Sequence, residues 1–227
     1  MIMREVLISV QPKWCEKIAH IIGQNGTKPI YEKSVEIRKT RPKIDVPFKC
    51  YIYCTKSRKP YESFAVSGNP YECGGKVIGE FVCDRIQSYE SEFVDDDCYE
   101  EIASVFVDED GDVTGFIEWS NDCDFSYEHI DLYEDSCVKY EELKKYIGLG
   151  FNKFYGWHIS DLVIYDKPKE LSEFQLSENI RCSAYLNRMC LSRTQNDVIS
   201  CRNLDCQHKK LTRPPQSWCY VELKERF

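Results

Sequence analysis

One short segment, Glu32-Lys33-Ser34-Val35-Glu36-Ile37-Arg38-Lys39, begins in a polar loop and continues as an alternating strand. Side chains two positions apart share a strand face, so the two apolar residues are predicted to point inward. Glu36 and Arg38 share the opposite face, and Lys33 joins them only if it lies in the loop before the strand. This pattern is typical of a site for a polar ligand, and equally of an exposed ion pair.

Most of the remaining sequence also predicts strands, because apolar residues alternate with polar ones or form short continuous runs. These runs lie at 4–10, 48–55, 76–86, 155–165 and 217–223. Asp110-Gly111 predicts a hairpin that joins 104–108 to 113–119. Gly79 interrupts one of the runs, which indicates a bulge or a close approach of another backbone.

Two helices are predicted. The first follows Pro12, ends at Gly23 and carries an apolar stripe, Trp14, Ile18, Ile21 and Ile22. The next residues, 24–32, contain Asn25-Gly26 and predict a loop. The second helix covers 140–147. Regular alternation of strands and helices is absent, so the predicted fold class is α+β and mainly β, a small β-barrel with one or two covering helices.

The chain has 227 residues and a mass of 26.7 kDa, enough for one embellished domain or two small ones. No apolar run approaches the ~18 residues of a membrane span, and the N-terminus is unlike a signal peptide. The thirteen cysteines are an odd number scattered through strand-like segments, which favours reduced thiols in a cytoplasmic protein over a secreted disulfide scaffold.

Charge is distributed unevenly along the chain. The net charge is −8, which argues against general coating of nucleic acid. Residues 28–60 contain ten basic residues against three acidic ones, a net +7, whereas 84–142 contain twenty-one acidic residues against two basic ones, a net −19. These blocks are either two solvated surfaces or a basic cleft for a phosphate-bearing ligand beside an acidic insert, 87–138.

An irregular polar segment, 176–213, contains residue types that zinc prefers as ligands. They lie within 27 positions of one another, at Cys182, Cys190, Cys201, Cys206 and His208. None of the spacings is the tight C-x2-C of a zinc knuckle, so free cysteines are the alternative interpretation. No other motif requires a cofactor.

Seven short blocks, spread over the length of the chain, resemble the ASCH family of the PUA-like superfamily, and most of all its bacterial and phage members. The blocks are Gln11-Pro12-x-Trp14, Lys33-x-x-Glu36-x-Arg38-Lys39, Phe48-x-x-Tyr51-Ile52-Tyr53-Cys54-Thr55-Lys56, Gly75-Lys76-Val77-Ile78-Gly79-Glu80-Phe81, Tyr155-Gly156-Trp157-His158-Ile159, Tyr165-Asp166-Lys167-Pro168 and Pro214-Pro215-Gln216-Ser217-Trp218-Cys219. The resemblance implies one PUA-like domain over 1–227, with a cleft beside the first helix and long insertions at 87–138 and 176–213. Of the family motif G-x-K-x-x-E-x-R only the glycine is missing, and Tyr31 stands in its place.

The family is thought to bind RNA or nucleotides, so the resemblance implies RNA, a nucleotide or a modified base as the partner. The residues expected to line the cleft are Ser9, Gln11, Trp14, Lys33, Glu36, Arg38, Lys39 and Tyr53. In this interpretation Arg38 and Lys39 hold phosphate or a carbonyl oxygen, and Glu36 accepts from a base amino group or orients Arg38. Aromatic faces would stack unpaired bases, although Trp14 is as readily a core residue.

Two other functions stay open. One branch of the family resembles an amidohydrolase that acts on N4-acetylcytidine through the lysine of this motif, so a nucleoside amidohydrolase or ribonuclease would use Lys33 and Glu36 as catalytic residues. That branch has a threonine at the position of Glu36, and this chain does not. The other function is a protein-interaction module in which the acidic insert mimics nucleic acid or binds a basic partner. A membrane partner is not expected.

Overall fold

The computed structural model of the chain describes residues 5–57, 73–93, 101–107, 113–119, 132–148, 150–177 and 211–223. The helices in these ranges are α1 (Pro12–Ala19), α2 (Leu132–Ser136) and α3 (Tyr140–Ile147). The strands are β1 (Glu5–Val10), β2 (Ile21–Asn25), β3 (Lys28–Tyr31), β4 (Val35–Arg38), β5 (Phe48–Cys54), β6 (Lys76–Cys83), β7 (Ile86–Phe93), β8 (Glu101–Val107), β9 (Val113–Trp119), β10 (Gly150–His158), β11 (Ser160–Glu170), β12 (Phe174–Leu176) and β13 (Trp218–Leu223). None of the described helices has the length and apolar character that crossing a bilayer requires.

The chain divides into two compact units, each built on a sheet of its own. The first unit comprises Met1–Glu16, Phe48–Phe81 and Leu162–Phe227, and the second comprises Lys17–Pro47 and Val82–Asp161. The expected single domain over 1–227 stays a prediction.

The first unit contains a six-stranded sheet in the order β11-β6-β5-β1-β13-β12. β1 pairs in parallel with β5 and antiparallel with β13, so this sheet is mixed. The central strands β1 and β5 are buried almost throughout, as expected for strands covered on both faces. The apolar core of this unit contains Leu7, Tyr51, Tyr53, Val77, Phe174, Leu211 and Val221.

Gly79 allows β6 and β11 of this sheet to approach each other closely. A Cβ atom at this position would lie 2.4 Å from the carbonyl oxygen of Val163 and 3.2 Å from Cα of Ile164. No side chain fits against backbone atoms at such a separation. The close backbone approach that the sequence predicts at Gly79 is therefore confirmed.

The second unit contains a five-stranded sheet in the order β4-β10-β7-β8-β9 and a separate hairpin of β2 and β3. The four neighbouring strand pairs of the larger sheet are antiparallel. β4 is an edge strand, yet all four of its side chains are buried. Ser34, just before β4, donates from its N–H to the Asp135 carbonyl oxygen at 2.9 Å and from Oγ to the Asp135 carboxylate at 2.8 Å. The end of α2 is thereby attached to the beginning of β4.

The first helix is shorter than its apolar stripe predicts. α1 ends at Ala19, and Ile21 and Ile22 lie on β2, where 51% and 60% of their surfaces are exposed. The predicted loop over 24–32 is likewise wrong, because β2 and β3 form a hairpin. Gly26, with φ of +62°, is the first of the two turn residues, a position that favours glycine. The turn signal at Asn25-Gly26 therefore outweighs the helical spacing before it.

The other predicted elements agree with the structure in type. The second predicted helix is α3, and the predicted hairpin is β8 paired with β9, although its turn at 108–112 lies outside the described residues. Two predicted strands each cover parts of two strands. The run at 76–86 contains β6 and the first residue of β7, and 155–165 crosses from β10 to β11 at Ile159.

The fold class α+β, mainly β, is confirmed, since the described ranges contain thirteen strands and three short α-helices. Within the described ranges neither large sheet closes on itself, because β11 and β12 end one sheet and β4 and β9 end the other. The barrel is therefore not confirmed.

Both expected insertions are described only in part. The acidic insert, 87–138, contributes most of β7 together with β8, β9 and α2, whereas 94–100, 108–112 and 120–131 lie outside the described residues. Of the cysteine-bearing segment, 178–210 lie outside them as well. The role of the insert as a surface for a protein partner stays a prediction.

Candidate functional site

Lys33, Glu36 and Arg38 meet in one ion-pair cluster in the second unit. Oε1 of Glu36 lies 3.0 Å from Nη2 of Arg38, and Oε2 lies 3.4 Å from Nζ of Lys33. Glu36 and Arg38 are two positions apart on β4, while Lys33 lies in the loop before the strand, as the alternation of strand faces requires. The carboxylate therefore has a cation at each of its two oxygens.

Protein encloses this cluster almost completely. Lys33 is 1% exposed, Arg38 5% and Glu36 6%. The alternative interpretation of the motif, an exposed ion pair, is therefore wrong. Moving a charged group out of water costs several kcal/mol. Burial of these three charges is therefore possible only because the carboxylate and the two cations attract one another.

Lys33 also contacts the C-terminal end of α2. Its Nζ donates to the Ser136 carbonyl oxygen at 2.5 Å, a carbonyl at a helix end that has no partner within the helix. The Ser136 hydroxyl donates back to the carbonyl oxygen of Leu132, which holds this helical turn together. Burial lowers the pKa of Lys33, and the Glu36 carboxylate opposes that effect.

One oxygen of Glu36 retains the capacity to accept a hydrogen bond. Oε2 is shielded from water and accepts no hydrogen bond from any residue that the structure describes, although the charge of Lys33 is near. Buried polar atoms nearly always have a hydrogen-bond partner, because leaving one without a partner costs about 1–3 kcal/mol. An N–H group of a ligand would supply the missing donor.

Helix α3 adjoins the cluster through Tyr146. Nζ of Lys39, the residue after β4, donates to the Ile147 carbonyl oxygen at 3.1 Å and lies 5.5 Å from the centre of the Tyr146 ring. Tyr146 is 42% exposed. Burial raises the pKa of Tyr146, the charge of Arg38 lowers it and the charge of Glu36 raises it.

A second polar cluster lies beside the loop that carries Lys33. The Glu32 carboxylate pairs with Nζ of Lys17 and, at 2.8 Å, with Nδ1 of His20. The backbone N–H of Glu32 also donates to the His20 carbonyl oxygen. Hydrogen bonds from Lys17 and His20 lower the pKa of Glu32. The Cys137 thiol donates to the Glu32 carbonyl oxygen at 3.2 Å. These contacts connect the end of α1 and the residues just after α1 and α2 to the residue that precedes Lys33, so they position the loop.

Four residues predicted to line the cleft belong to the first unit. Ser9 donates from Oγ to the Pro215 carbonyl oxygen at 2.7 Å, and the Gln11 carbonyl oxygen accepts the N–H of Trp14 at 2.9 Å, at the start of α1. Tyr53 is 4% exposed and packs in the apolar core of this unit. The shares of Ser9, Gln11, Trp14 and Tyr53 in a cleft with Lys33 stay predictions.

Two functional candidates have no signal in the sequence. Ser136 lies on α2 and Tyr146 on α3, both far along the chain from β4, and the hydrogen bond from Lys33 to Ser136 joins residues 103 positions apart. Tyr146 lies within a correctly predicted helix, but helical spacing does not identify the strand beside that helix. Only the arrangement of strands and helices in space brings Ser136 to Lys33 and Tyr146 to Lys39.

The predicted metal ligands, Cys182, Cys190, Cys201, Cys206 and His208, all lie outside the described residues. In the described part of the chain, no three histidine, cysteine, aspartate or glutamate side chains are arranged to hold a metal ion. The cysteines described there carry thiols rather than disulfides: Cys15, Cys50, Cys54, Cys73, Cys83, Cys137 and Cys219. Zinc at the predicted ligands stays a prediction.

Comparison with known proteins finds similarity at the level of structure only. No protein-family model matches the chain, and no curated protein matches its sequence. Two solved structures are similar, the crystal structure of ASCH from Zymomonas mobilis and that of a mutant of the Zymomonas mobilis ASCH protein. The first is 16% identical over 74% of this chain and 73% of that chain, the second 15% identical over 74% and 76%, and both have a TM-score of 0.38. Both proteins carry the name of the family that the seven sequence blocks resemble.

Proposed function

We propose that this chain is an RNA- or nucleotide-binding protein of the ASCH type, with a PUA-like barrel, that recognises a base at the cluster of Lys33, Glu36 and Arg38. The observation that carries the proposal is the buried Glu36 carboxylate, whose Oε2 lacks a hydrogen bond within the described part of the chain. This carboxylate can accept from an amino group, and the guanidinium beside it can donate to a carbonyl oxygen or a ring nitrogen. Nucleobases present both kinds of group along one edge.

The phosphates of an RNA ligand would bind outside the cluster. Exposed cations of the basic stretch lie in the same unit, at Lys28, Arg41 and Lys43. Contacts between such side chains and phosphates release counterions and give binding its dependence on salt. The cysteine-rich composition supports the reducing cytoplasm as the place where this binding occurs.

Calorimetry with a short single-stranded RNA and with the four common ribonucleoside monophosphates tests this proposal. Glu36→Gln should weaken binding of both ligands at least about tenfold, because it removes the charged acceptor. Arg41→Gln, the matched surface control, should weaken only RNA and reduce the salt slope by about 0.7. Failure of the wild-type chain to bind either ligand, or wild-type affinity in a folded Glu36→Gln variant, would contradict the proposal.

A second candidate function is hydrolysis of a nucleoside amide or of RNA at the same cluster. It is favoured by Lys33, because a buried lysine with a lowered pKa can act as a base when it has lost its proton. Incubation with N4-acetylcytidine and with short RNA tests this function. Product formation that Lys33→Ala and Glu36→Ala both abolish would identify an enzyme, whereas intact substrate with tight binding would identify a binding protein.

A further inference from the structure

Tyr146 is a partly exposed aromatic side chain next to the enclosed ion-pair cluster. On α3, Leu143 and Ile147 are buried, and Tyr146 lies on the more exposed part of the same helix. Because Lys33, Glu36 and Arg38 are all less than a tenth exposed, a ligand must reach them past a neighbouring side chain that does contact water. Tyr146 has that position, since its ring centre lies 5.5 Å from Nζ of Lys39, the residue after Arg38, while 42% of the residue is exposed.

Lys39 holds the helix end that carries this ring. Its Nζ donates to the Ile147 carbonyl oxygen at 3.1 Å and lies 5.5 Å from the Tyr146 ring centre, within the range of a cation–π interaction. This ammonium group is therefore engaged at the end of α3, where the helix carbonyls favour a cation. A ring held in this way is preorganised, which reduces the entropy lost when a ligand stacks on it.

The charges in the cluster argue against phosphate as its ligand. Glu36 places a carboxylate between Lys33 and Arg38, with its oxygens 3.4 and 3.0 Å from the two cations. A phosphate that approached Arg38 would meet this negative charge, which repels it. A neutral, planar group with both donors and acceptors avoids that repulsion.

We propose that Tyr146 is the stacking residue of the site, that Lys39 holds it in place, and that the ligand read by Glu36 and Arg38 is therefore the nucleobase itself, whether from a free nucleotide or from an unpaired position in RNA. This inference rests on the proposed function and adds the residue that selects a planar base over a phosphate group. Base stacking on an aromatic ring is largely independent of sequence, so Tyr146 contributes affinity, and Glu36 and Arg38 contribute the choice of base.

Calorimetry on the variants Tyr146→Leu, Tyr146→Phe and Glu36→Gln tests the inference. The probes are a ribonucleoside monophosphate, a short single-stranded RNA, ribose 5-phosphate and inorganic phosphate. Tyr146→Leu should weaken binding of the monophosphate about five- to 150-fold, the range for loss of one stacked base. Tyr146→Phe keeps the ring and should stay within about threefold of the wild-type chain. Ribose 5-phosphate and inorganic phosphate should bind far more weakly than the monophosphate. If the site binds a base from either source, Tyr146→Leu should weaken RNA binding as much as monophosphate binding. If the site binds only bases within RNA, the substitution should weaken binding of RNA and not of the monophosphate.

The outcomes separate this inference from the proposed function. Wild-type affinity in Tyr146→Leu, with binding lost in Glu36→Gln, would overturn stacking by Tyr146 and leave base recognition at the cluster intact. Equal affinity for ribose 5-phosphate and for the monophosphate would overturn base selection. Absence of binding to every probe by the wild-type chain would overturn the proposed function, and the inference with it. Thermal unfolding of each variant confirms that a folded protein is compared.

Discussion

Nζ of Lys33 lies 3.4 Å from Oε2 of Glu36, where both side chains are almost completely enclosed. Because Arg38 binds the other oxygen at 3.0 Å, one carboxylate compensates two cations. Removal of the carboxylate would leave two like charges buried together, whereas removal of either cation leaves one ion pair intact. The three residues therefore differ in their contributions to the free energy of unfolding.

Glu36→Gln should destabilise the protein more than Lys33→Met. The glutamine keeps the shape of the side chain but leaves the two cations without a counter-charge, so we expect a loss of about 3–5 kcal/mol. Lys33→Met keeps the pair of Glu36 and Arg38 and replaces a buried amine by an apolar group, so we expect a loss of about 2 kcal/mol or less. Urea denaturation at pH 7 measures both values, and the reverse order would contradict this account of the cluster.

The loss caused by Glu36→Gln should become smaller at high pH. Burial lowers the pKa of Lys33 from 10.5, so the unfolded chain binds this proton more tightly, and stability rises as the pH increases towards 10.5. Glu36 raises the pKa of Lys33, so in the variant that pKa is lower still and the charged lysine is more unfavourable. Unfolding measured at pH 7 and at pH 9.5 tests this, with Lys33→Met as the control whose loss should instead grow with pH, because this variant has no lysine whose loss of a proton stabilises the fold. An equal loss for Glu36→Gln at both pH values would show that the charge of Lys33 does not cause it.

Gly79→Ala should destabilise the first unit strongly. The added methyl group would lie 2.4 Å from the Val163 carbonyl oxygen, so β6 and β11 would have to separate, and we expect a loss of about 3 kcal/mol or more. Gly26→Ala is the matched control, because nothing lies within 4 Å of the position of its Cβ. With φ of +62°, Gly26 would incur only conformational strain of about 1–2 kcal/mol. Similar losses in urea denaturation would contradict the close approach at Gly79.

Tyr165→Phe should lower the free energy of unfolding more at neutral pH than in acid. Burial raises the pKa of Glu80, but hydrogen bonds from Tyr165, at 2.5 Å, and from Lys49, at 3.0 Å, outweigh burial and lower it. The ionised carboxylate therefore contributes stability that is present above pH 4.5 and is lost as the pH falls through the lowered pKa. We expect Tyr165→Phe to cost about 1.5–3 kcal/mol at pH 7 and less at pH 3. Glu80→Gln, which cannot titrate, is the control, and an unchanged loss at pH 3 would exclude the charged hydrogen bond.

The local sequence pattern predicts the individual strands and helices of this fold better than it predicts which of them lie side by side in space. The parity of β4 was sufficient to place Glu36 and Arg38 together and to require Lys33 in the preceding loop, where the structure has it. Burial of that cluster could not be predicted from β4 alone, because it depends on α2, which follows about a hundred positions later. The ring of Tyr146 is a further example, since its relation to Lys39 depends on where α3 lies in space.

Ile18→Ala and Ile22→Ala distinguish the observed boundary of α1 from the longer helix that the apolar spacing predicts. Ile18 is completely buried on α1, so its truncation should cost about 2–5 kcal/mol. Ile22 lies on β2 and is 60% exposed, so its truncation should cost less than about 1 kcal/mol. On one continuous helix both residues would face the same core and the losses would be alike. Guanidinium denaturation of the two variants decides between these arrangements, and an equal, large loss at both positions would show that the stripe of isoleucines is buried as a helix.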